Sequence, residues 1–104
     1  MNKQHWVNEK SDSLFNAILS LNTLTDARNF FRDLLTEQEI LEFANRWKVA
    51  RMLYEKVPYS TIEKETGMSS TTIARINKFL NGKFEGYKRM IEKTNKSVNH
   101  HTPA

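Results

Sequence analysis

Apolar positions in this chain recur at steps of three and four, the spacing that lines up side chains on one face of an α-helix. Leu14, Ile18 and Leu21, with Phe15 beside them, predict a first helix over about 11–21, capped by Ser11 or Asp12. A second helix starts near Thr25 or Asp26 and turns Ala27, Phe30, Phe31, Leu34 and Leu35 to its apolar side. Thr36 followed three residues later by Glu39 has the pattern of a reciprocal cap and opens the longest helix. Ile40, Phe43, Ala44, Trp47 and Leu53 carry that helix to about Glu55. Strong alternation of polarity is absent, and only three glycines and two prolines punctuate the 104 residues. The fold class read from this pattern is all-α.

Beyond Val57-Pro58-Tyr59 the helices shorten. Ser60 with Glu63 reads as another reciprocal cap, Gly67 as a stop, Met68-Ser69 as a turn, and 70–80 as a second short helix. The segment 59–80 therefore has every part of a helix-turn-helix, with Ile62, Met68, Ile73 and Ile76 as the contact between its helices. Its second helix opens on small hydroxyl residues, Ser69, Ser70, Thr71 and Thr72. Short side chains suit a helix whose first turn enters the major groove of DNA, where hydroxyls meet phosphates or base edges. Arg75 follows on the same face and has the fork that fits guanine O6/N7 or a phosphate. Lys78 and, on the preceding helix, Lys64 suit the sugar–phosphate backbone.

Gly82 ends the second short helix, and a last helix is expected over about 84–93, using Tyr87, Met90 and Ile91. The polar stretch 94–104 reads as a disordered tail, leaving one helical domain over 1–93. Charge sharpens this division. Up to Asn45 four basic residues stand against seven acids, and from Arg46 onward twelve stand against five. The halves thus carry −3 and +7, which fits a polyanion-binding region attached to an assembly region.

Other chemistries find little support. The chain has no cysteine, so disulfides and thiolate metal sites are excluded. No apolar run is long enough for a membrane span or a signal-peptide core, and a cytoplasmic protein is expected. His5, His100 and His101 sit near the ends with no third ligand evident, so no metal, cofactor or enzymatic activity is expected. RNA binding lacks a visible aromatic platform. A helical adaptor module that binds a partner protein is the alternative to DNA binding.

Phe15, Phe30, Phe31, Phe43, Trp47 and Tyr54 are many large groups for helices this short. A chain of this size buries about two-thirds of its unfolded surface, so extra burial in a two-fold dimer is the natural outlet. The dimer core is expected from about 11–56 and 84–93, with Phe15, Phe30, Phe31, Phe43 and Trp47 within it.

Leu35-Thr36-x-x-Glu39, Asn45-Arg46-x-Lys48, Glu65-Thr66-Gly67-Met68-Ser69 and Ile73-Ala74-Arg75 together resemble the Trp repressor superfamily. Leu80-Asn81-Gly82 followed by Gly86-Tyr87 resembles its YerC/YecD branch. The resemblance spans about 35–80, more loosely beyond, and implies six helices in an intertwined homodimer that represses transcription from a palindromic operator. It also implies an effector pocket. Arg46 and Arg75 match the arginines that flank the indole in that family, and Thr36 matches a threonine lining the site. Ile76, however, stands where the family has a pocket glycine, and Phe79 where it has a small serine. Overpacking by a few methylenes costs roughly 1–3 kcal/mol, so these two side chains are expected to fill the space, and tryptophan is not expected as corepressor. Any other effector is unknown.

Overall fold

A computed structural model describes residues 4–101, with side chains through Lys96. Six helices follow in order: α1 Glu9–Leu19, α2 Leu24–Leu34, α3 Glu37–Tyr54, α4 Tyr59–Thr66, α5 Ser70–Leu80 and α6 Gly86–His101. No strand occurs among the described residues. The helical domain expected over 1–93 divides into two compact units, Met1–Ile40 and Leu41–Ala104.

The first unit is built from local caps. Asn8, rather than Ser11 or Asp12, caps α1: its Oδ1 accepts the Ser11 N–H at 3.0 Å, and the Ser11 hydroxyl accepts the Asn8 N–H at 3.0 Å. Ser11 is thus the third-residue partner in a reciprocal cap, and the helix starts two residues earlier than its apolar stripe indicates. Thr23 likewise replaces Thr25 or Asp26 as the cap of α2, accepting the Asp26 N–H at 3.0 Å. The expected Thr36–Glu39 cap forms, with bonds of 2.9 and 3.1 Å. Trp6 meets Phe15 edge to face at 6.4 Å, and Phe30 meets Phe31 the same way at 5.6 Å. No residue of α1 or α2 is buried, and Leu19 and Leu24 are 80% and 66% exposed.

The core lies in the second unit. Val49, Ala50 and Leu53 of α3, Ile62 of α4, Ile73, Ile76 and Leu80 of α5, and Ile91 of α6 form one buried cluster. The end of α3 is closed by a left-handed residue. Lys56 has φ 66°, its N–H donates to the Leu53 carbonyl, and the Val57 N–H donates to the Met52 carbonyl. These two bonds make a Schellman motif, with Val57 as the apolar residue that follows it and packs on the core. Pro58 then supplies the first acceptor of α4, taking bonds from the N–H groups of Thr61 and Ile62. The Ser60–Glu63 cap expected from sequence does not form, because α4 begins at Tyr59 and Ser60 already lies inside its first turn.

The last helix is longer than its sequence pattern indicated. It opens after Glu85 and runs to His101, through much of the segment read as a tail. No glycine or proline interrupts the chain between Gly86 and His101, which allows the helix to continue through this polar stretch. The side chains of His100 and His101, and residues 102–104, lie outside the described residues.

Candidate nucleic-acid interface

Three features fix the hairpin of α4 and α5. Gly67 ends α4 at φ 75°, and its N–H donates to the Glu63 carbonyl at 2.9 Å. A Cβ at Gly67 would meet nothing within 4 Å, so its left-handed backbone, not space, calls for glycine. The Thr66 hydroxyl donates to the Ile62 carbonyl at 2.7 Å and accepts the Met68 N–H at 3.2 Å, which stitches the turn to the helix before it. Ser69 caps α5, accepting the Thr72 N–H at 3.2 Å.

Helical steps of about 100° settle what α5 offers to solvent. Ile73, Ile76 and Leu80 are buried, while Thr71, Arg75 and Lys78 project from the opposite side and are exposed. Ser70 is exposed beside them, and Lys64 is exposed on α4. The hydroxyl residues divide into two kinds. The Ser69 hydroxyl also donates to Thr72 Oγ1 at 3.1 Å, so Ser69 and the half-buried Thr72 are engaged with each other in the cap. Ser70 and Thr71 are the outward pair. Ala74 is exposed on the same flank, an apolar position that a pattern of hydroxyl and basic residues does not single out; its methyl suits close approach to a thymine methyl.

The residues read as an effector pocket fall in different places. Thr36 caps α3 in the first unit. The Arg46 guanidinium lies over the Phe43 ring at 5.4 Å, beside a groove shared with Trp47 and Tyr87. Ile76 is 4% exposed, packed in the core. Phe79 fills no cavity in the single chain. It is 59% exposed and lines an apolar groove with Trp47, Phe84, Tyr87 and Met90. Three residues on from Ile76, it is turned about 60° from that buried position, away from the core centre.

The residues read as dimer core are not buried within one chain. Phe15 and Phe43 are 45% and 47% exposed, and Phe30, Phe31 and Trp47 are partly covered. Trp47 stacks on Tyr87 at 6.4 Å and carries the Arg51 guanidinium over its ring at 5.8 Å.

Comparisons with known proteins agree with this architecture. The family described as Trp repressor protein matches residues 9–95. The protein YerC of Bacillus subtilis (strain 168) is 45% identical over 82 residues, which cover 79% of each chain. The crystal structure of a TrpR-like protein from Eubacterium eligens ATCC 27750 aligns with a TM-score of 0.81 at 42% identity, covering 86% of this chain and 93% of that one. A Staphylococcus aureus structure, provisionally assigned as a Trp repressor, aligns with a TM-score of 0.82 at 32% identity, covering 89% and 96%. No helix among the described residues is long and apolar enough to cross a membrane. The chain belongs to the Trp repressor family, in its YerC-like branch.

Proposed function

We propose that this protein is a transcription repressor that binds a palindromic operator in double-stranded DNA as a homodimer. The observation that carries this reading is the outward face of α5, where Thr71, Arg75 and Lys78 stand opposite a buried Ile73–Ile76–Leu80 seam. The seam fixes the helix and leaves its opposite face to a groove. Arg75 is assigned to a base edge, with Ser70 and Thr71 ahead of it on bases or phosphates, and Lys78 and Lys64 on the backbone. Ser69 and Thr72 act beside them chiefly by holding the first turn in shape. Membership in the family supports DNA binding, and a regulator of this kind works in the bacterial cytoplasm.

Dimerisation is supported by the exposed apolar surface of both units, with Phe15, Phe30 and Phe31 in one and Phe43 and Trp47 in the other. In a two-fold dimer the α5 helices read half-sites about one helical turn, or roughly 34 Å, apart. Tryptophan is not assigned as corepressor, because Ile76 already fills the interior at the position of the family's pocket glycine.

The test is selection of sites from a random duplex pool at about 150 mM salt, where phosphate contacts are partly screened, with and without tryptophan. Enrichment of a palindrome with one-turn spacing, indifferent to tryptophan, supports the proposal. Enrichment only with tryptophan overturns the reading of Ile76. No enrichment, together with salt-insensitive capture of a protein partner, moves the assignment to an adaptor module.

A further inference from the structure

On the flank of α5 away from its outward face, the ends of α3 and α5 and the first half of α6 line a half-open cavity of about 480 Å³. Leu53 and Leu80, both buried, make its apolar wall. The rest of the lining is polar, and it shares no residue with the pocket inferred from the family resemblance. The Tyr54 hydroxyl crosses from α3 to donate to Glu92 Oε2 at 3.0 Å. Lys88 and Glu92 stand four residues apart on α6, the spacing at which opposite charges pair on a helix. They do not pair. Glu92 is turned to Tyr54, and among the described residues neither the half-buried Lys88 nor Lys56 has an ion pair. Lys56 reaches this cavity from the left-handed backbone at the end of α3.

A cleft lined by two lysines without ion pairs, one of them half-buried, and by a single carboxylate engaged with Tyr54 has a net positive charge over its apolar wall, which suits an anion. Asn77 adds amide donors: its Oδ1 accepts from Asn81 at 3.2 Å, which orients its NH2 group. Glu92 keeps a second carboxylate oxygen for a donor on the same ligand. We propose that this cavity binds a small organic anion, its carboxylate or phosphate between Lys56 and Lys88 and a hydroxyl or amine on Glu92. The occupant bridges α3, α5 and α6, braces the seat of the recognition helix and so tunes operator affinity. That last step rests on the DNA-binding reading above; the binding step does not.

The test uses the full chain and amide NMR, titrating inorganic phosphate or L-malate at constant ionic strength with chloride as the reference. Saturable shifts confined to Lys56, Asn77, Asn81 and Lys88, at millimolar or tighter Kd, are expected. Phosphate alone or malate alone identifies the anionic group. Lys88→Gln and Lys56→Gln should each weaken binding about tenfold, while Lys83→Gln, outside the cavity, should leave it unchanged. Absence of saturation with either probe up to about 20 mM, or equal weakening by Lys83→Gln, overturns the site. Binding without a change in DNA affinity overturns its regulatory role. Failure to bind DNA at all, with anion binding intact, overturns the operator reading instead.

Discussion

Lys56 and Gly67 hold the same left-handed backbone, at φ 66° and 75°, and end neighbouring helices, yet their side chains make substitution act in opposite directions. An L-residue in that region carries a cost on the order of 1–2 kcal/mol that glycine escapes. Lys56→Gly is therefore expected to stabilise the protein by about 0.5–1 kcal/mol, and Gly67→Ala to destabilise it by about 1 kcal/mol. Urea unfolding with an unchanged m-value checks both, and a stabilising Gly67→Ala would contradict the backbone argument. Gly67 was legible in the sequence because glycine just after a short helical stretch is itself a stop signal. Lys56 was not, since the Schellman closure of α3 is set by carbonyls and by the burial of Val57. Asn8 was not legible for a related reason: its partner Ser11 is itself a common cap and lies nearer the apolar stripe.

At the scale of elements, α5 was legible to its ends because the Met68-Ser69 turn before it, a buried three-and-four stripe and Gly82 just beyond it all agree. Boundaries failed where a cap was read two residues too late, as in α4, or where a polar helix lacked an apolar stripe, as in the last turns of α6. The outward face of α5 separates two roles. Arg75→Ala is expected to cost about 1–3 kcal/mol in operator binding and to relax sequence choice, as loss of a forked base contact does. Lys78→Ala should weaken all sequences alike and lower the salt slope by about one. Equal weakening by Arg75→Ala would move that residue to the backbone.

The tie between α3 and α6 has its own signature. The Glu92 carboxylate that accepts the Tyr54 hydroxyl raises the tyrosine pKa above its ordinary 10.0, with desolvation and the nearby charges of Glu92 and Glu55 adding to it. A raised pKa means that the folded state holds the proton more tightly than the unfolded state. This contribution is full below pH 10.0 and is lost as pH climbs through the raised value. In an absorbance titration Tyr54 should ionise above pH 10.0, and Glu92→Gln should lower its pKa. A Tyr54 pKa left unmoved by Glu92→Gln would contradict the bond.

For the whole molecule, the telling contrast is between a small core and a large apolar remainder. Among the described residues, eight are buried in the second unit, while the first buries none in α1 or α2. The aromatic surplus made this legible in the sequence as a need for further burial. Which residues meet the core and which stay exposed in the single chain was not legible, because both share the same helical stripes. Ile76 and Phe79 illustrate this: three residues apart on one helix, one is packed inside and the other lines an open groove with Met90. Met90 is 49% exposed, so Met90→Glu removes little packing from a single chain. In a dimer that covers this groove, the same change puts a carboxylate against apolar surface, a burial that costs several kcal/mol unless it is compensated. Sedimentation should then show the parent protein as a dimer and Met90→Glu as a monomer with its helical circular dichroism kept. Operator affinity should fall together with dimerisation, because one α5 reads only half of a palindrome. A Met90→Glu protein that stays dimeric would place the interface elsewhere on the chain.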